Sequence, residues 1–331
     1  MIDVPTPSPE PHQALIRVIA CGFCHHDRSV MAGVLRRGVG PGVILGHEIS
    51  GLVVETGNEV TGLQHGDRVV SILTEACGNC DRCANGREHR CREGQGIGHG
   101  RDGGFAEYVA LSEYSLVKVP EGVDPVGAAL LACPMGVALQ AVRETAQVTA
   151  GETVVVTGAG GGLGSHAVQA AAALGARVLA VSSSPEKENA LLGLGAAEVL
   201  GDTGLDFAEV VMALTGDAGA DVVIDTVGSA LFPSTLGSLA QFGRLVLLGE
   251  IVGQSVSLNP AEVIFRDARI LGASGVSRAM VAQAGRMVLE GKLRPVVALE
   301  LPLEEAAEAY RLVSERKPTG RIVLLPDAGR A

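Results

Sequence analysis

Between Thr153 and Val181 the chain passes through a β-branched run, a glycine cluster, an alanine-rich run and a second β-branched run, and that order leaves few folds open. Thr153 to Thr157 reads as a buried strand, Thr157-Gly158-Ala159-Gly160-Gly161-Gly162-Leu163-Gly164 as a tight turn, the stretch through Leu174 as a helix and Arg177–Val181 as a second strand. Strand, helix and strand make a βαβ unit. Further strands are expected at Glu198–Leu200, Asp221–Asp225, Arg244–Leu248 and Arg269–Gly272, with helical segments between most of them, which builds an α/β protein around a doubly wound parallel sheet.

The flanks read differently. From Ala14 to Ala20 and from Ile49 to Val70, short β-branched runs are punctuated by Gly-Asn, Gly-Leu and Gly-Asp, as in a compact, turn-rich β domain. After Ser274 the pattern is helix, strand, helix and a closing strand at Arg321–Leu325. A length of 331 residues exceeds what one core usually serves, so two domains are expected. The Pro-rich first eleven residues and the last few are the loose ends.

A net charge of −11 without a basic run argues against nucleic acid or an anionic membrane as partner and leaves small molecules. The longest apolar stretch, Gly127 to Val142, is broken by Cys133, Pro134 and Gln140, so no membrane span is expected and a soluble, cytoplasmic protein is. With no Trp, Tyr 3 and Phe 6, a substrate pocket would be lined mainly by aliphatic groups.

The glycine loop predicts a dinucleotide. Gly158, Gly160, Gly161, Gly162, Leu163 and Gly164 form a turn on which backbone can approach a pyrophosphate, and the helix that follows offers free N–H groups. The strict Gly-x-Gly-x-x-Gly register is missed, since Ala159 takes its first position. At the end of the second strand, Val181-Ser182-Ser183-Ser184-Pro185-Glu186-Lys187 lacks the carboxylate that would hold the ribose hydroxyls of NAD. Ser182, Ser183 and Lys187 suit a 2′-phosphate, so NADP(H) is expected over NAD(H). Alternatively the serines cap the next helix and Lys187 is solvated; both readings can hold together.

Cys77, Cys80, Cys83 and Cys91 have the spacing of a closed tetrahedral zinc site, the structural kind. Disulfides are the alternative, disfavoured in a reducing compartment. Three cysteines remain, Cys21, Cys24 and Cys133; Cys24 lies in Cys21-Gly22-Phe23-Cys24-His25-His26-Asp27 and His47-Glu48 follow, and a thiolate, an imidazole and a second thiolate would make a three-ligand shell with room for substrate, the catalytic kind of zinc.

Gly46-His47-Glu48-Ile49-Ser50-Gly51, Gly57 and Gly66-Asp67-Arg68-Val69 resemble the signature of zinc-dependent alcohol dehydrogenases in the medium-chain dehydrogenase/reductase family. The cysteine cluster, Asp102-Gly103-Gly104-Phe105-Ala106-Glu107-Tyr108 and the glycine loop follow in the family's order, so the resemblance covers nearly the whole chain. It implies a GroES-like β-rich catalytic domain at 1–134 that carries the structural zinc loop 77–91, a Rossmann cofactor domain at 135–274 and a return to the catalytic domain at 275–331. It implies two zinc ions per chain, Cys24, His47 and Cys133 as catalytic ligands, Glu48 as an outer or exchangeable one, and Cys21 as a structural thiol. It also implies a homodimer or homotetramer. Cys133-Pro134-Met135-Gly136 and Val156 to His166 are similar to a subgroup that includes acryloyl-CoA reductases.

Two departures stand out. Many family members carry Thr or Ser two residues after the first zinc cysteine and His five residues after it, as a proton relay; here these are His26 and Ser29. Either His26 is the proton partner, or water is and His26 is structural. The N-terminus begins about where the family's second strand would, as if an opening strand were lost. Arg36 and Arg37 read either as an anion contact or as a solvated turn. The resemblance implies hydride transfer between NADP(H) and a zinc-bound carbonyl or alcohol, with reduction of an activated C=C bond as the alternative and a non-catalytic cofactor-binding protein as the remote one.

Overall fold

The computed structural model describes residues 2–201, 206–250 and 253–326, so the expected loose end at the last few residues lies outside the described residues. The chain divides into two compact units, Met1–Gly136 with Gly275–Ala331, and Val137–Ser274. Among the described residues, the first unit opens with strands β1 (Gln13–Phe23), β2 (Glu48–Thr56), β3 (Arg68–Ser71), β4 (Thr74–Glu75), β5 (Gln95–Gly96), β6 (Tyr108–Ser112) and β7 (Leu116–Lys118). The second unit holds β8 (Thr153–Val156), β9 (Arg177–Val181), β10 (Glu198–Leu200), β11 (Ala220–Asp225), β12 (Leu239–Leu247) and β13 (Arg269–Gly272). The first unit then resumes with β14 (Val297–Pro302) and β15 (Arg321–Leu325).

In the first unit β1 is the axis of a sheet ordered β14-β15-β1-β2-β3-β7, with β6 also paired to β1. Ala14, Ile16 and Val18 point to one face and pack with Ile49, Val53, Val69 and Leu111. A register shift between Val18 and Ala20 breaks the alternation: beyond it Cys21 rejoins that cluster, while Ala20 faces another with Ala129, Leu130 and Val323. The same shift sets Gly22 opposite Glu48 and Phe23 opposite Ile322, which brings β2 and β15 to the end of β1 where the metal-ligating types gather.

The first boundary falls after Gly136, two residues past the expected 134. The reason is packing: Leu131–Gly136 belongs with the helix Arg278–Leu289, and a Cβ on Gly136 would meet Val276 at 2.9 Å.

The second unit is a six-stranded parallel sheet ordered β10-β9-β8-β11-β12-β13, the doubly wound arrangement. Val154, Val155 and Val156, and Val222, Val223 and Ile224 beside them, are fully buried in unbroken runs, because helices cover both faces of such sheets. One strand differs from its expected span of Arg244–Leu248: β12 starts at Leu239, and its pairing jumps from Ala220↔Leu239 to Val222↔Arg244. Phe242 takes a left-handed φ of 64° inside that jump, so the strand carries an irregular insert that a β-branched pattern does not signal. Among the described residues no helix is long and apolar enough to cross a membrane.

Candidate metal centres and cofactor loop

Donor atoms of Cys24, His47, Glu48 and Cys133 all lie within 4.8 Å of one another. Three elements of the first unit deliver them: Cys24 caps the helix His25–Met31 just after β1, His47 and Glu48 stand at the start of β2, and Cys133 occupies an extended break (φ −115°, ψ 124°) in Leu131–Gly136. His47, Glu48 and Cys133 are buried. A hydrogen bond shared with Cys133 holds the Cys24 thiol well below its ordinary pKa and pushes Cys133 well above it. One proton between two sulfurs marks a pocket that gains from a cation. Glu48 agrees: it is fully buried, neither carboxylate oxygen makes a hydrogen bond, and burial pushes its pKa up to about 8. Two thiolates, an imidazole and a carboxylate at this spacing fit zinc.

Three side chains around the donors carry no sequence motif of their own. Asp27 is fully buried; its Oδ2 accepts from the Cys24 backbone N–H at 2.8 Å and its Oδ1 lies 3.4 Å from His47 Nδ1. That contact leaves His47 Nε2 for a metal. Burial alone would lower the His47 pKa, but Asp27 outweighs it and raises it well above the ordinary value. Asp27 was findable, as an acid three residues after a helix cap. Arg321, on β15, lies 3.0 Å from Glu48 Oε1, an ion pair in which both side chains are at least nine-tenths buried. His99 is the third. Asp27→Asn is expected to weaken zinc binding at the Cys24–His47–Cys133 group by about 10- to 100-fold while leaving the four-cysteine group loaded. Competition with a chromogenic chelator reads this, and unchanged affinity would exclude an orienting role for Asp27.

His26 and Ser29 have separate fates. His26 stands over His47 with ring centroids 5.2 Å apart in edge contact, and burial and the adjacent His47 lower its pKa. Its Nε2 lies 3.2 Å from His99 Nδ1, and His99 Nε2 lies 2.9 Å from the Arg37 carbonyl. Ser29 Oγ donates to the His25 carbonyl at 3.0 Å, closing a turn of its own helix. Arg36 Nε likewise donates to the Gly33 carbonyl at 2.6 Å, so it closes its own loop. Cys21 is fully buried and stands outside both donor groups.

Cys77, Cys80, Cys83 and Cys91 form the second group, again within 4.8 Å of one another. Cys80 Sγ is 3.5 Å from Cys83 Sγ and 3.9 Å from Cys91 Sγ, and Cys91 Sγ is 3.4 Å from Cys77 Sγ. Sulfurs at the corners of a zinc tetrahedron stand about 3.8 Å apart, given a Zn–S bond of about 2.3 Å. Backbone N–H groups of Arg92 and Cys83 hold Cys80 down to about 6, whereas burial pushes Cys83 up to about 12.

In the second unit the glycine loop joins β8 to the helix Gly162–Ala173. A Cβ on Gly164 would run into the Gly158 carbonyl and lie 2.7 Å from Ala159 Cα, so this helix can approach the strand only with glycine there. Thr157 Oγ1 donates to Asp225 Oδ1 at 2.6 Å, and the same oxygen accepts from the backbone N–H groups of Val227 and Gly228, which ties the loop to the end of β11. Beyond β9, Ser184 precedes the short helix Pro185–Lys187 without a side-chain capping bond. Lys187 is only 5 % exposed. It lies over the loop: a Cβ on Gly160 would meet Lys187 Cδ at 2.6 Å, Ser182 Oγ at 3.4 Å and Lys187 Nζ at 3.6 Å.

Two converging groups of metal-ligating side chains and a glycine loop on a doubly wound sheet are the features of the zinc-binding dehydrogenase class. Residues 10–121 match the alcohol dehydrogenase GroES-like domain, and residues 162–290 match the zinc-binding dehydrogenase domain. The chain is 34% identical over 325 residues to an acryloyl-coenzyme A reductase of Sulfurisphaera tokodaii, covering 98% of this chain and 95% of that one. It is 34% identical over 336 residues to an NAD-dependent alcohol dehydrogenase of the same organism, covering 98% and 95%. Among solved structures, the alcohol dehydrogenase of Aeropyrum pernix superposes with a TM-score of 0.91 at 30% identity, covering 98% and 96%. The chain therefore belongs to the zinc-dependent alcohol dehydrogenase branch of the medium-chain dehydrogenase/reductase family, and is an oxidoreductase of that family.

Proposed function

We propose that this oxidoreductase moves a hydride between NADP(H) and a carbonyl or alcohol substrate, with zinc held by Cys24, His47 and Cys133 and a second, structural zinc held by Cys77, Cys80, Cys83 and Cys91. The observation that carries the reading is the convergence, within 4.8 Å of one another, of two thiols, an imidazole and a buried carboxylate that makes no hydrogen bond. When bound there, zinc supplies Lewis acidity toward a substrate oxygen. Asp27 orients His47, and Arg321 offsets the charge of Glu48 so that this carboxylate remains available as an exchangeable ligand. Gly158, Gly160, Gly161, Gly162, Leu163 and Gly164 present backbone to the cofactor pyrophosphate. Ser182, Ser183 and Lys187 take the 2′-phosphate, supported by serines in place of a carboxylate directly at the end of β9 and by the burial of Lys187 against the loop.

Ser29 supports a second reading. With its hydroxyl committed to the His25 carbonyl, the relay position is not set up for alcohol oxidation, and a curated relative is an acryloyl-CoA reductase. Reduction of an activated C=C bond needs the same polarised carbonyl and delivers hydride to the β-carbon instead. One experiment separates the two: 4-deuterated NADPH with a simple unsaturated aldehyde, products read by NMR. Deuterium on the carbinol carbon is expected. Deuterium on the β-carbon establishes the second reading, and transfer from NADH strongly preferred over NADPH overturns the roles of Ser182 and Lys187.

A further inference from the structure

His99 lies far in sequence from every residue discussed as a ligand, yet the chain is shaped to seat it. It occupies the turn after β5, where a Cβ on Gly96 would come within 3.0 Å of its own Cβ, and a Cβ on Gly38 within 3.3 Å of its Nε2. Gly38 has a φ of +80°, and the Gly40 backbone N–H donates to the His99 carbonyl at 2.7 Å, so the loop carrying Arg37 is laced to this turn.

Hydrogen-bond logic then fixes where the protons lie. The Arg37 carbonyl only accepts, so His99 Nε2 at 2.9 Å carries the hydrogen. With its one hydrogen on Nε2 the His99 ring presents a bare Nδ1, positioned to accept from His26 Nε2 at 3.2 Å. A neutral His26 with hydrogen on Nε2 has none on Nδ1. Its ring stands 5.2 Å from that of His47, and no group among the described residues bonds to that Nδ1.

We propose that His99 is a positioning residue that, through the Arg37 carbonyl, selects the His26 tautomer whose free nitrogen is a proton acceptor beside the Cys24–His47–Cys133 group. The inference rests on the proposed reading of that group as the reacting centre, but the tautomer is measured without turnover. His99 deepens the departure at Ser29: an imidazole pair stands beside the group, whereas the Ser29 hydroxyl is committed to its own turn.

The test uses zinc-loaded, 15N-histidine-labelled protein and two-bond 1H–15N correlation spectra, with His26→Gln to assign the His26 signals. Wild type is expected to show the Nε2–H form of His26. His99→Leu removes the acceptor and is expected to mix the tautomers and lower kcat for alcohol oxidation about tenfold with little change in KM. His99→Gln keeps an acceptor for His26 and a donor for Arg37, and is expected to restore both the tautomer and most of kcat. An Nδ1–H form of His26 in wild type overturns the inference even if the enzyme is active. Equal losses in the Leu and Gln variants overturn it too, since they indicate a structural role. Wild type inactive on alcohols but with the Nε2–H form supports the inference and counts against the proposed reaction instead.

Discussion

A His47→Ala protein is expected to purify folded, to carry one zinc per chain in place of two, and to turn over at least about 10³-fold more slowly than wild type. The loss should be that large because the substitution strands several groups at once. Asp27 loses the imidazole it orients, and Glu48 and the two thiols of Cys24 and Cys133 are left buried without a full ligand set. The fold should survive, since the residues of β2 that fill the apolar core, Ile49 and Val53, are untouched. Metal content by mass spectrometry together with steady-state rates reads both halves. Two zinc ions per chain with full activity in this variant would remove the metal mechanism.

The second large effect is on stability. Cys83→Ser, in the four-cysteine group, is expected to destabilise the first unit by about 4 kcal/mol or more, seen as a drop in melting temperature on the order of 10 °C. The segment 77–91 has little else to hold it. The apolar cluster around it among the described residues is Ala76, Cys83 and Cys91 with Cys77, Cys80 and Tyr114 packed on it, so the four sulfurs are themselves most of the core of this lobe. Metal binding is then folding free energy for the lobe rather than an addition to it. A melting temperature within about 2 °C of wild type would show that the sulfurs are not closed by a metal.

These two sites also show what can be read in a sequence of this kind. The candidate ligands stand out because cysteine and histidine at fixed short spacings have few other uses, and the glycine loop because backbone shape demands glycine at Gly164. The strands of the second unit are equally plain, since parallel strands covered on both faces are written as unbroken valine and isoleucine runs such as Val154–Val156. What stayed hidden is decided by register over long distances. Arg321 faces Glu48 only because β15 and β2 both pair with β1, opposite Phe23 and Gly22. His99 meets His26 only because two loops are laced at Gly40. The insert in β12 was hidden for another reason: Phe242 adopts a left-handed φ that its residue type gives no reason to expect.

The position of β15 has a consequence for how the protein is made. β1 and β2 leave the ribosome before the second unit is made, whereas the strand that flanks β1 on its other side, and brings Arg321 to Glu48, follows the second unit in the chain. Until then the nascent first unit has an open sheet edge along Cys21–Phe23 and an uncompensated acid in its interior. The second unit, whose strands are contiguous in the chain, has no such wait. Completion of the candidate metal pocket thereby waits for synthesis of the whole second unit, and a chain cut short before Arg321 would present the donor groups without the framework that balances their charge.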